Sequence, residues 1–570
     1  MTPPPVAPDP PSRLFQRPWT WWFLVLVLVL VAAARLRLLN FPLERDEGEY
    51  AYAGQLMLQG IPPYQLAYNM KFPGTYAAYA AIMALFGQTP AGIHFGVLCL
   101  TTLTALMLFW LGKQILDWTA GMVAATFYAV MAASPAMLGL AGHATHFAAF
   151  FATAGLCVMW RTRQNRRWPT VMASGFLFGM AVLMKQHAVM IAAWAGLSFA
   201  LGNFFCAKDA LGKRLAAVAV YGGSMFAPLG LCCLWLWHAG VFARFKFWTI
   251  DYAHEYASAV PLAYAPQMFW HGFRWVITKG FLLWFIAFGG LALVWLDARW
   301  KNSRGWFFGF CAASALAVCP DFYFRKHYFL IALPALALLA GACISGLGKI
   351  RGGKNETSRF GDWPWWSYAL AVAITIFTCG EVWFLLPVHA IIRGRNPSDH
   401  GLYGADPLPE AEIIAKFIAE NSPPDARVAI LGSEPEIYFL AHRHSATGYI
   451  YTYPEMEPQP FALKMQREMI SDIETRKPEF IVFADNIMSW NRRLDSNPTI
   501  FDWWDNYKTN YILVGMADII SPTQTVCVLG TNYVAHYPEA HGSALEVYQR
   551  VTGPPAPPGN SRPGEIIGPS

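Results

Sequence analysis

Apolar runs long enough to cross a bilayer recur along the first 390 positions, and the polar residues between them gather in short clusters. A spanning helix needs about 20 apolar residues, with a range of roughly 17–25. By that measure the pattern predicts about eleven spans, near 18–38, 91–112, 119–138, 147–160, 169–184, 188–206, 215–240, 275–296, 306–319, 329–347 and 367–390. Several are short, and a re-entrant pair is an open alternative. From about 391 the texture changes. Positions 427–432 and 480–484 are apolar runs bounded by turn or charged residues and read as buried strands, with 511–514 as a third candidate. Helical patterning occupies 411–421 and 461–476 between them. The expected architecture is a polytopic α-helical membrane domain over 18–390, with its first outer loop at 39–90. A small α/β domain follows at 391–552. The ends, 1–17 and 553–570, are Pro-rich or Pro- and Gly-rich and are expected to be disordered. No internal repeat is visible.

Composition agrees with the pattern. The chain is 55% hydrophobic and 14% charged, with 40 Phe, 24 Trp and 24 Tyr, whereas soluble domains carry about 25% charged residues. The net charge of +6 does not point to nucleic acid, because most of the excess lies in short loops between spans. Basic clusters at 161–167, 208–214, 299–304 and 349–354 fall on one side of the expected topology, together with Arg13 and Arg17. The positive-inside rule makes that side the cytoplasm. The N-terminus is then expected inside and everything after about 390 outside. Ala32–Ala34 mimics a signal-peptidase site, but the apolar run before it is longer than a signal h-region, so the first span is read as retained. Of ten cysteines only Cys527 lies in the C-terminal region, and no paired spacing suggests zinc.

With the topology drawn, charges on the outer side need an explanation. Arg35, Arg37, Arg45, Lys71, Lys185, Arg244, Lys246, Arg325 and Lys326 all map there or to the outer ends of spans. Some of them suit a phosphate at the membrane surface, which Arg grips in a bidentate way and Lys meets as a point charge. The others suit snorkelling to headgroups, Arg37 and Lys246 first. The acidic signal is narrower. Asp46 and Glu47 follow the first span after a short linker, flanked by Glu44 and Glu49. A carboxylate near a reacting hydroxyl acts as a general base, and one near a metal acts as a ligand. A charged helix N-terminus would look the same, since 46–59 has helical patterning. His143 and His146 stand at i and i+3, a spacing that suits metal on one helical face but lacks a third ligand nearby. Glu381 is the one carboxylate well inside an expected span.

The segment from Arg45 to Gly87 carries a resemblance. It contains Asp46-Glu47-Gly48-Glu49-Tyr50, then Gly60-Ile61-Pro62-Pro63-Tyr64, Lys71-Phe72-Pro73-Gly74 and Ala84-Leu85-Phe86-Gly87. That order resembles the first outer loop of GT-C superfamily membrane glycosyltransferases, in particular bacterial relatives of protein O-mannosyltransferase and of the aminoarabinose transferase that modifies lipid A. Gly179 to Gln186, ending in Lys185-Gln186, and Arg325-Lys326-His327-Tyr328 followed by Pro334 are similar to two later motifs of that family. Two departures stand out: Met70 occupies the place of a Glu before the Lys-Pro of the aminoarabinose transferase, and Phe72 separates Lys71 from Pro73. A role carried by that Glu does not transfer.

The resemblance implies a bacterial cytoplasmic-membrane enzyme that takes a sugar from a polyprenyl-phosphate donor. The acceptor would be a hydroxyl of an envelope glycan, lipid or protein on the outer face. It implies Asp46 as general base with Glu47 assisting. Lys71, Arg325, Lys185 and Arg45 would face the donor phosphate, and Tyr50, Tyr64, His327 and Tyr328 the acceptor or sugar. A divalent metal is an optional partner of such a site. The rival from another class is a secondary transporter. Transporters place charges near the bilayer midplane and often show repeated halves, whereas here the charges cluster at one rim.

Overall fold

The computed structural model describes residues 18–164, 166–206, 209–301, 303–351, 406–521, 524–537, 540 and 542–551. The span expected at 367–390, Glu381 within it, and the ends expected to be disordered lie outside the described residues. The chain divides into two compact units that cut across its linear order. The first comprises Met1–Arg37, Val97–Gly230 and Val260–Ile391, and the second Leu38–Gly96, Leu231–Ala259 and Ile392–Ser570.

The first unit is helical. Ten of the eleven expected spans coincide with helices: Pro18–Arg37, Pro90–Ile115, Trp118–Met131, Ala144–Gln164, Trp168–Met184, Val189–Leu201, Leu211–His238, Phe281–Leu296, Arg304–Leu316 and Leu333–Arg351. Four helical stretches among the described residues are long and apolar enough to cross a membrane, namely Pro90–Ile115, Gln186–Phe205, Leu211–His238 and Lys326–Leu347. A fifth is counted if Leu262–Thr278 and Phe281–Leu296, which meet at 112°, form one broken span. The sequence pattern had joined 275–278 to the following helix. Gly280, at φ 104°, breaks the run in a conformation that favours glycine. Close helix contacts also depend on glycine. A Cβ at Gly179 would stand 2.0 Å from the Met225 carbonyl oxygen, so this Gly lets Trp168–Met184 meet Leu211–His238 backbone to backbone. Phe226, Leu231, Leu234 and Trp237 are exposed along Leu211–His238, an outward face suited to lipid.

The second unit is built on a six-stranded mixed sheet of order β2-β1-β3-β6-β4-β5. The strands are β1 (Arg427–Leu431), β2 (His444–Ser445), β3 (Phe480–Asp485), β4 (Tyr511–Ser521), β5 (Gln524–Leu529) and β6 (Ala544–Arg550). β1 runs parallel to β2 and β3, while β6 is antiparallel to both β3 and β4. The apolar runs predicted as strands are the buried ones: Val428–Leu431 and Phe480–Val482 are fully enclosed. Helices Leu408–Glu420 and Ala462–Arg476 match the helical patterning, each burying one apolar stripe. Helices Arg45–Leu58 and Gly74–Phe86 from the 39–90 segment pack in this same unit.

Candidate active site

Helix Arg45–Leu58 begins with a reciprocal capping box. The Glu44 carboxylate accepts from the Asp46 amide at 2.8 Å, and the Glu47 carboxylate accepts from the Glu44 amide at 3.1 Å. Glu47 is fully buried and also lies 3.4 Å from His94 Nε2. Glu47, expected to assist Asp46, is engaged here at the helix start.

Asp46 and Glu49, three positions apart on one helical face, converge on a single cation. Lys71 Nζ donates to Asp46 Oδ1 at 2.8 Å and to Glu49 Oε2 at 2.6 Å. The same nitrogen sits 4.6 Å from the centre of the Tyr50 ring. Tyr76 donates to Glu49 Oε1 at 2.6 Å, and Tyr64 donates to the Lys71 carbonyl at 2.6 Å, which fixes the loop carrying the lysine. Glu49 is 1% exposed at its side chain, against 20% for both Asp46 and Lys71. Burial works against the Lys71 charge, but Asp46 and Glu49 outweigh it and hold its pKa well above the usual lysine value. Burial pushes the Glu49 carboxyl up, Lys71 opposes it, and the charge of Asp46 adds to the rise.

A second contribution comes from the C-terminal sheet region. Tyr451 donates to Asp46 Oδ1 at 3.1 Å, and its ring lies 5.7 Å from Lys71 Nζ. Sequence reading missed both Glu49 as a ligand of Lys71 and Tyr451. The alternation of Tyr449, Tyr451 and Tyr453 was the available signal, since in extended chain every second side chain shares a face. Tyr50 and Tyr64, expected to meet acceptor or sugar, are 1% and 0% exposed, so both are packed into the scaffold around Lys71.

Arg45, expected at the donor phosphate, is instead held by the C-terminal region. It reaches Glu434 at 2.9 Å, Asp406 at 3.1 Å and the Tyr453 hydroxyl at 2.6 Å. Glu434 and Glu436 are both fully buried, and burial pushes both carboxyls above their ordinary range. Nearby, Gly48 has no room for a side chain: an added Cβ would come within 2.7 Å of the Glu436 backbone nitrogen. Tyr52 stacks on Tyr438 at 5.1 Å and its hydroxyl accepts from the Ser445 amide at 2.7 Å. The Arg45–Leu58 helix is thus fastened along its length to residues 434–453.

Buried Glu436 sets a pH dependence. Burial, followed by the charge of Glu434, lifts the Glu436 carboxyl well above its ordinary range. The folded state therefore keeps a proton that an unfolded glutamate releases near pH ~4.3. Its stabilisation is complete below that pH and is lost as pH rises through the folded pKa. Glu436→Gln, neutral at every pH, is expected to flatten the fall of melting temperature between pH 5 and 9 and to raise stability at the alkaline end. Buried Glu455 contributes in the same sense and retains its share. An unchanged slope in thermal melts of the detergent-solubilised variant would contradict a proton held on buried Glu436.

The first unit holds the remaining expected residues except Arg244 and Lys246, which lie in the second. Lys185, which ends helix Trp168–Met184, lies 4.4 Å above the Tyr328 ring. Tyr328 also packs on His187 at 4.6 Å and donates to Asp321 at 3.1 Å. Arg325 leads into the 3-10 turn Lys326–Ala332. Asp321, Phe322 and Phe324, just before it, all adopt positive φ, and clustering of that conformation in non-glycine residues marks a loop held by its surroundings. Of the expected His143–His146 pair, His146 Nε2 bonds the Gly139 carbonyl at 3.1 Å, while the His143 ring stacks on His327 at 4.2 Å. Arg35 donates to the carbonyls of Ala132 and Gly139, where a helix end leaves acceptors uncovered. Lys246 pairs with exposed Asp251, as a surface charge would.

Residues 71–235 match the family model described as dolichyl-phosphate-mannose-protein mannosyltransferase. No curated protein matches the chain. Among solved structures, the archaeal oligosaccharyltransferase AglB from Archaeoglobus fulgidus, in complex with an inhibitory peptide and a dolichol-phosphate, superposes with a TM-score of 0.55 at 13% identity, covering 92% of this chain and 75% of that one. ArnT from Cupriavidus metallidurans in the apo state gives 0.54 at 16% identity, covering 93% and 98%. ArnT bound to undecaprenyl phosphate gives 0.50 at 16% identity, covering 83% and 95%. At 13–16% identity these likenesses show a fold shared with AglB and ArnT.

Proposed function

We propose that this protein transfers a sugar from a polyprenyl-phosphate carrier to an acceptor hydroxyl at the outer face of the bacterial cytoplasmic membrane, with inversion. The observation that carries the reading is the Asp46 carboxylate, bound at one oxygen by Lys71 and Tyr451. The ArnT structure with undecaprenyl phosphate and the AglB structure with dolichol-phosphate support a lipid-phosphate donor by likeness of fold. Asp46 takes the proton of the acceptor hydroxyl as its oxygen attacks the anomeric carbon. The bond from that carbon to the phosphate oxygen breaks, and the electron pair leaves with the lipid phosphate. Lys71 is engaged by two carboxylates, so its assigned part is to keep Asp46 ionised and aimed. Neutralising the departing phosphate is assigned to Lys185 and Arg325. Such stabilisation of developing charge contributes roughly 2.7–4 kcal/mol per well-placed donor.

The test is incubation of purified protein with a panel of labelled polyprenyl-phosphate hexoses, pentoses and amino sugars plus an envelope fraction. Acceptor-dependent release of polyprenyl phosphate is expected from one class of donor. Absence of release across the panel, with uptake of label into proteoliposomes instead, would replace the enzyme by a transporter.

A further inference from the structure

The sheet region supplies a side chain to the catalytic centre. We propose that Tyr451 is a positioning residue for the proton transfer at Asp46, an assignment that rests on the reading of Asp46 as the base. Its hydroxyl donates to Asp46 Oδ1, the same oxygen that Lys71 binds. Two donors arriving at one carboxylate oxygen from different segments fix the torsion of the Asp46 side chain more firmly than either alone. They also stabilise its ionised form, the form a base requires.

Tyr451 is held independently of Asp46. Its ring meets Tyr453 at 5.4 Å in an edge contact, and Tyr453 is anchored through its hydroxyl to Arg45 and the Met488 carbonyl. The neighbouring Thr452 is tied by its amide to Ser433 Oγ at 3.0 Å and by its hydroxyl to the Ser489 carbonyl at 3.2 Å. The segment that presents the phenol is therefore braced on both sides. Only 8% of Tyr451 is exposed. Burial, then Asp46, Glu44 and Glu49, push its phenol well above the ordinary tyrosine range, so its proton remains available to donate. The charged and titratable groups that face Asp46 in this unit are Lys71, Glu49, Tyr50, Tyr79 and Tyr451, with Glu44 and Arg45 beside it. Of these, Lys71 and Tyr451 donate to its Oδ1.

The experiment is the pH profile of polyprenyl-phosphate release by full-length Tyr451→Phe, using the donor class that the wild type turns over. Phe keeps the ring contacts and removes the one hydroxyl. Hydrogen bonds to charged groups contribute about 1.5–3 kcal/mol, so kcat is expected to fall about 10–100-fold near pH 7 with little change in KM for the donor. The acid limb of the kcat profile is expected to move up by about one pH unit, because the carboxylate loses a donor. Replacing Tyr451 with a fluorinated tyrosine, whose phenol is a stronger donor, is expected to move that limb down and leaves packing almost unchanged. A purely structural tyrosine would not shift the limb in opposite directions. An acid limb unmoved in both variants, with Asp46→Asn inactive, overturns the role of Tyr451 alone. Turnover by Asp46→Asn overturns the base itself and this assignment with it.

Discussion

Asp46→Asn is expected to lower sugar transfer by about 10²–10⁴-fold, the range that a positioned general base contributes, while the protein purifies and melts like the wild type. Asn has the shape of Asp, and its amide oxygen can keep the place of Oδ1, where Lys71 and Tyr451 donate. The lysine also retains Glu49 at 2.6 Å. The packing is therefore preserved, and only the basic lone pair is lost. Measurement is single-turnover release of polyprenyl phosphate alongside a thermal melt. Near-normal turnover with an intact melt would remove Asp46 from the chemistry.

Lys71→Met has the largest expected effect on stability. Deleting one partner of a buried ion pair costs about 3–5 kcal/mol, because the charge left behind has neither water nor a counterion. Glu49 is that charge here, 1% exposed and left with Tyr76 as its remaining donor. The Asp46 arm is one-fifth exposed, is screened by solvent and contributes less. Adding Glu49→Gln to Lys71→Met removes the stranded carboxylate and is expected to recover most of the lost stability. Activity should stay low in the double variant, because Asp46 still lacks its cation. The check is a melting comparison of wild type, both singles and the double. A Lys71→Met protein that melts with the wild type would show that the Lys71–Glu49 pair adds no net stability.

Much of this was visible before any coordinates. Helix after helix follows from apolar run length; the acidic cluster around Asp46 is dense, and Lys71 stands out as the lone charge between 50 and 90. What escaped reading has physical reasons. Glu47 and Glu49 are equally acidic in sequence, yet helix geometry decides between them: Glu49, at i+3 from Asp46, shares its face, whereas Glu47 is taken by the capping box. Strand β6 lacks a continuous apolar run because much of it is only half-buried, so its pattern is weak. β6 is the last strand in sequence but lies between β3 and β4, a pairing set by tertiary packing. Tyr451 is 405 positions from Asp46, a separation at which no local periodicity informs.

The fastening of the Arg45–Leu58 helix to residues 434–453 bears on how such chains can be recombined. A chimera that imports the sheet region from a relative would bring a foreign surface against Gly48, Tyr52 and Arg45, and would leave Asp46 without the phenol at its oxygen. Two stretches about 390 residues apart must then change together to keep one carboxylate in place. Exchange of acceptor preference between relatives is expected to succeed only when the early loop travels with the late domain.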